Sequence, residues 1–155
     1  MGEQVEMILP RKIKVEDFTK PASFDDDPIP DGLEVFLSLL DAFGDKTKAI
    51  GTFRFELYQF HKASADPRGK RLGLWEVDLS SVAAQEQHWE HLSRMYHFRL
   101  QWKGQQVKPG RYSLEVTYIS PWGQRLATTY IVDATFPRGR IKEQREQGRR
   151  GLSLF

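Results

Sequence analysis

Seven stretches of this chain alternate apolar and polar residues with a period of two, and that pattern restricts the fold more than any other feature. A period of two places every second side chain on one face of an extended strand. The stretches are 12–15, 33–40, 52–60, 72–79, 96–102, 111–119 and 125–132. Their apolar sets include Ile13 and Val15; Leu33, Val35, Leu37 and Leu39; and Phe53, Phe55 and Leu57. Trp75, Val77 and Leu79 form another, followed by Tyr96, Phe98, Leu100 and Trp102. Tyr112, Leu114, Val116 and Tyr118 precede the last set, Leu126, Thr128, Tyr130 and Val132. Turn residues separate several of them: Asp31-Gly32, Phe43-Gly44-Asp45, Pro67-Arg68-Gly69, Pro109-Gly110 and Pro121-Trp122-Gly123. Strands with one wet face belong to antiparallel sheets. Seven of them in about 120 residues predict an all-β, two-sheet sandwich over 12–133.

One segment departs from the alternation. Residues 80–95, "SSVAAQEQHWEHLSRM", begin with a candidate Ser cap and continue in Ala, Gln and Glu. They predict one short helical insertion, over about 80–94, between the fourth and fifth strands. Residues 1–11 form an N-terminal extension. The stretch 16–32, with Pro21, Pro28 and Pro30, reads as an extended linker, and 134–155 as a polar tail ending in "LSLF".

At 155 residues the chain is expected to fold as one domain with a core of its own. It has no cysteine, so disulfides and thiolate metal sites are excluded. No run of about 18 apolar residues predicts a membrane span. "MGEQVEMILPRKIK" lacks the basic, apolar and small-residue regions of a secretory leader. The expectation is then either a cytoplasmic protein or a mature exported form whose leader is missing from this chain. Residues 138–151 hold six basic and two acidic residues, net +4, while the remaining chain holds 17 basic and 19 acidic, net −2. A slightly acidic body argues against a nucleic-acid partner.

"KPGRYSLEVTY", 108–118, is the most specific local signal. A Pro-Gly turn followed by Tyr-x-Leu-x-Val resembles the start of strand F in immunoglobulin-like and prealbumin-like sandwiches. The resemblance implies that Tyr112 packs its ring in the core and bonds nearby backbone through its hydroxyl. "LEVFLSLLDAFGDKTKAIGTFRFELY" resembles the second-to-third strand segment of bacterial immunoglobulin-like modules. The chain as a whole is similar to uncharacterised envelope lipoproteins of bacteria. That similarity implies a periplasmic or envelope-associated location and a membrane tether in a native precursor. The cysteine pair of antibody domains is missing, and the 80–95 segment is an insertion.

Candidate chemistry is sparse. Asp25, Asp27, Asp41 and Asp45 are oxygen ligands that loops of a C2-like, calcium-dependent binding domain would gather, although Lys46 and Lys48 oppose a dication there. The plainer expectation is that Asp41 and Asp45 shape a turn. His88 and His91 on one helical face, with Glu90 or His61 as a third ligand, would hold zinc, but His-x-x-His is short and common, and the plainer expectation is surface histidines on a polar helix. Glu56 and Glu115 fall on outer strand faces, where solvated carboxylates are ordinary. No G-x-S-x-G and no phosphate-cradling glycine loop occurs. The expectation is a chain without enzymatic activity and without a cofactor.

The aromatic residues carry more. Trp122 lies in a turn, where it either folds back over the end of the sandwich, the plainer expectation, or stays exposed to anchor a partner or a sugar. Phe36, Leu40 and Phe60 occupy positions that alternation makes polar, so something is expected to cover an outer face. The tail offers Arg140, Arg145 and Phe155 to an acidic partner or to a sheet edge. The expected function is a cell-envelope protein-interaction or structural module. Its partner would be another protein, met through an edge strand, Trp122 or the tail. The alternatives are the calcium-dependent domain and a carbohydrate-binding accessory domain built on Trp122 and Trp102.

Overall fold

The computed structural model of the chain describes residues 2–61, 65–66, 68–103 and 107–134. In chain order the elements are α1 (Glu3–Glu6), β1 (Lys12–Val15), β2 (Lys20–Ala22), β3 (Gly32–Leu40), β4 (Lys46–Thr47), β5 (Thr52–Phe60) and β6 (Arg68–Asp78). Then follow α2 (Val82–His88), β7 (Trp89–Glu90), β8 (Met95–Gln101), β9 (Gly110–Ile119) and β10 (Arg125–Ala134). All seven alternating stretches are strands. Three short strands join them, so the described residues hold ten rather than seven. Two of these lie where alternation is too brief to read, β4 and β7. The third, β2, is a piece of the expected linker; its Pro21 is tolerated because β2 lies at the margin of its sheet.

The strands form two antiparallel sheets. In the first, β3 is central. β1 and β2 pair with its two halves along one side, β8 and β4 along the other, and β7 lies outside β8. The second runs β10-β9-β5-β6. This is a predominantly β chain in an arrangement compatible with a β-sandwich.

The core forms where the alternating apolar faces of the two sheets meet. Phe53 is at its middle, with ring centroids 5.3–6.3 Å from those of Phe55, Tyr96, Phe98 and Tyr118. Phe53, Phe55 and Tyr118 come from the second sheet, Tyr96 and Phe98 from the first, so the cluster ties the sheets together. Buried tyrosine hydroxyls need partners. Tyr118 donates to the Ile50 carbonyl at 2.7 Å, and Tyr96 to Gln85 Oε1 at 2.7 Å while accepting from the Ala49 N–H at 3.0 Å. Tyr112 donates to the Lys108 carbonyl four residues upstream.

The predicted helix over about 80–94 is corrected to Val82–His88. It begins as expected, with the Ser81 hydroxyl accepting from the Ala84 N–H at 3.1 Å. It ends early because Trp89 turns extended, pairs with Tyr96 and sets its ring edge-on to Tyr96 at 5.0 Å. Packing against β8 overrides the local helical preference of Glu90, His91 and Leu92. The following turn leaves Arg94 at φ 57°.

One glycine is required by geometry. Gly51 has φ +145°, and a Cβ there would lie 2.3 Å from the Ile119 carbonyl oxygen, so the chain can enter β5 past the end of β9 only with no side chain.

Candidate functional site

The connections gather at the two ends of the sheets. At one end β3, β6 and β9 finish, and β1, β5, β8 and β10 start. Four segments close this end: 2–11, 41–51, 79–94 and 120–124. They are tied to one another. The Ala42 N–H donates to the Met7 carbonyl at 3.3 Å, and Gln124 Nε2 to the Pro10 carbonyl at 2.9 Å. Gln85 Nε2 donates to the carbonyls of Ala49 and Leu79 at 2.7 and 2.8 Å, and Lys46 Nζ to that of Ser93 at 2.8 Å.

This end holds most of the exposed large apolar side chains among the described residues. Among the described residues, eleven large apolar side chains are exposed, and eight lie here: Val5, Met7, Ile8, Phe43, Ile50, Val82, Leu92 and Trp122. Phe43 is 67% exposed and Leu92 96%. The described residues of the opposite end contribute none. The other three are on sheet faces: Phe18 over the first sheet, Leu74 and Ile131 on the second. Single exposed apolar residues are ordinary, whereas contiguous patches of them are typical of contact surfaces. Of these, the sequence singles out Trp122 alone, and with folding back over the sandwich end as the plainer expectation. Phe43 and Leu92 carry a weaker signal, a large apolar residue inside a turn: Phe43 before Gly44-Asp45, and Leu92 between His91 and Ser93.

Trp122 is held by a tight turn. The Gly123 N–H donates to the Ser120 carbonyl at 3.1 Å, and the Gln124 N–H to Ser120 Oγ at 2.8 Å. Gly123 takes φ +88°, a value glycine adopts at no steric cost. The indole is 45% exposed. It lines a cleft of about 310 Å³ together with Glu6, Leu9, Arg11 and Gln124.

The other sequence candidates fall elsewhere. Phe36 is half-buried against aromatic rings of its own chain. Phe18, from the connection after β1, lies with its ring centroid 4.7 Å from that of Phe36, and His97 stacks parallel to Phe36 at 4.4 Å. Phe60 is half-buried, with the Arg111 guanidinium 5.9 Å from its ring centre. Arg140, Arg145 and Phe155 lie outside the described residues.

The four aspartates do not converge, which corrects the calcium expectation. Asp25 and Asp27 precede β3, while Asp41 and Asp45 follow it. The nine residues of β3, an extended strand about 26 Å long, lie between the two groups. Asp41 Oδ1 accepts from the N–H groups of Phe43 at 2.9 Å and Asp45 at 3.1 Å, an Asx turn. Asp25 Oδ1 accepts from the Asp27 N–H, and Asp27 Oδ1 from the Ile29 N–H, both at 2.8 Å. The helical pairing of His88 with His91 is corrected as well. The helix stops at His88, so His91 lies in the turn beyond it and the two rings share no helical face. His88 Nδ1 is 3.0 Å from the His97 carbonyl, and His97 Nε2 is 2.7 Å from Glu34 Oε1.

Glu56 and Glu115 are cross-strand neighbours on the outer face of the second sheet. Arginines separate their charges: Arg71 and Arg54 reach Glu56 at 3.3 and 3.4 Å, and Arg68 reaches Glu115 at 3.2 Å. The Tyr58 hydroxyl, donating at 2.6 Å, holds Glu56 below the usual carboxylate range, and it outweighs the opposing effect of burial. A carboxylate so held favours its charged form and suits an ion-pair network better than a proton donor. The edge strand β6 beside it carries Arg68, Lys70, Arg71 and Glu76, and its pairing with β5 shifts register at Leu57/Tyr58 and Tyr58/Phe60. Charges and irregular register both blunt an edge against further strands.

No helix of the described residues is long and apolar enough to cross a membrane. No protein-family model, curated protein or solved structure matches this chain.

Proposed function

We propose that the chain is a non-enzymatic binding module of immunoglobulin-like topology, and that it meets its partner through the loops at the Trp122 end. The concentration of eight exposed apolar residues in those loops carries the reading. Two features support the topology. The chain passes from the first sheet to the second between β3 and β5, and again between β8 and β9, as in a sandwich with strands A, B and E facing strands C, F and G. Tyr112, near the start of β9, bonds the Lys108 carbonyl upstream, the contact of a tyrosine corner. The blunted β6 edge favours the loops over strand addition as the contact, which shifts the expectation from sheet edge to sheet end. The envelope location implied by the sequence resemblance is kept as part of the same proposal.

The test is photo-crosslinking in the native host. A photoreactive side chain at position 43 or 92 is expected to yield one discrete adduct, and the same group at position 74, on the sheet face, none. Adducts from position 74 alone would overturn the reading.

A further inference from the structure

We infer that the Trp122 cleft is a saccharide subsite, a deeper statement of the same binding end that rests on the reading just given. Its volume, about 310 Å³, lies at the small end of the 300–1,000 Å³ typical of ligand pockets and suits a unit of one or two rings. Its walls are chemically mixed. The half-exposed indole of Trp122 offers a flat apolar face with a polar edge. Leu9 extends the apolar wall, while Glu6 supplies an acceptor carboxylate and Arg11 a fork of donors. A pyranose has the matching pattern: C–H groups on one face for an aromatic ring, and hydroxyls around the rim that both donate and accept. A purely aliphatic ligand would leave the Glu6 carboxylate and the Arg11 guanidinium to lose water without compensation.

Charge favours a neutral ligand. The four segments that close this end, 2–11, 41–51, 79–94 and 120–124, hold four basic and six acidic side chains. Such a surface produces no field that would gather a polyanion or an anionic lipid surface. The site is also preorganised. The turn fixes Trp122, and the bond from Gln124 to the Pro10 carbonyl fixes the segment carrying Glu6, Leu9 and Arg11 against that turn. A fixed site costs less ordering on binding than a mobile one.

The experiment screens the purified chain on an array of neutral and N-acetylated oligosaccharides with α and β linkages. The best binder is then titrated into the isotope-labelled protein. The expected result is a shift of the Trp122 indole N–H and of the amides of residues 6, 11 and 124. Affinity is expected to fall at least tenfold in Trp122→Ala and severalfold in Glu6→Gln, while Trp122→Phe retains part of it and all three variants melt as the parent does. No binder on the array, or binding unaffected by Trp122→Ala, overturns the saccharide assignment. An aromatic peptide or phosphatidylcholine vesicles moving those same resonances where sugars do not would also overturn it. Crosslinks from position 43 that persist without sugar binding would leave the contact end standing, whereas loss of both would remove the two readings together.

Discussion

Replacing Phe53 by alanine is expected to remove about 3–5 kcal/mol of folding stability. Phe53 is fully buried, and its ring lies among four others drawn from both sheets. The truncation therefore loses more than the transfer energy of one ring. It opens a cavity that β5 cannot close, because β5 is paired on both sides, with β6 and with β9. A central strand held by two ladders relaxes little, and poorly relaxed sites lie at the costly end of the range. Since domains of this size are stable by about 5–15 kcal/mol, the variant is expected to sit near the threshold of unfolding. Urea titration checks this. Phe60→Ala, on the outer face of the same strand, is the control and should cost under about 1.5 kcal/mol.

The second large effect is alkaline. The chain has five tyrosines, and each is held above its ordinary range. Burial raises Tyr96, Tyr112, Tyr118 and Tyr130; at Tyr58 the hydrogen bond to Glu56 is the main cause. Tyr118 is pushed up to about 12. Below pH 10 the hydroxyl is neutral in both states, and its contribution to stability is complete. Between pH 10 and about 12 the unfolded chain sheds its proton first, so unfolding is favoured as pH rises. Tyr118 alone then costs about 2 kcal/mol by the top of that window. The phenolate absorbance should accordingly rise in one cooperative step together with loss of sheet signal. Independent titration of the tyrosines at ordinary pH values, with the fold intact, would contradict the packing described for them. Tyr118→Phe should move the alkaline limit upward while costing about 1 kcal/mol at neutral pH, from the lost bond to the Ile50 carbonyl.

The strands were legible because each carries its own instruction. In β5 the order Phe53, Arg54, Phe55, Glu56, Leu57, Tyr58 states which face is inward, and no partner strand is needed to read it. Tyr112 was legible for a similar reason, since the Pro109-Gly110 turn before it is a local signal. The short strands were not, because β7 is defined by what Trp89 meets on β8, and a two-residue segment holds no period. The helix over about 80–94 failed at the same residue. Its cap, left open between Ser80 and Ser81 and found at Ser81, is a local signal, while its end depends on Tyr96.

The candidate site was legible only in Trp122. Its neighbours in the cleft, Glu6, Leu9 and Arg11, are more than a hundred residues away in the chain and are brought to the turn by the Gln124–Pro10 bond. Nothing in "MGEQVEMILPR" announces that contact. The aspartates illustrate the reverse case. Asp25, Asp27, Asp41 and Asp45 are close in sequence, yet a strand of nine residues holds them apart. Proximity along a β chain says little about proximity across it.

The most direct measurement on the purified chain is a titration with an apolar fluorescent dye, followed by the amide resonances of the folded protein. The predicted result is one binding region, with shifts at residues 7–9, 42–44, 50, 91–93 and 121–123, abolished by Phe43→Ser combined with Leu92→Ser and untouched by Leu74→Ser combined with Ile131→Ser. Dye shifts confined to the face around Leu74 and Ile131, or no binding to the folded chain, would contradict the claim that the loop end is its contact surface.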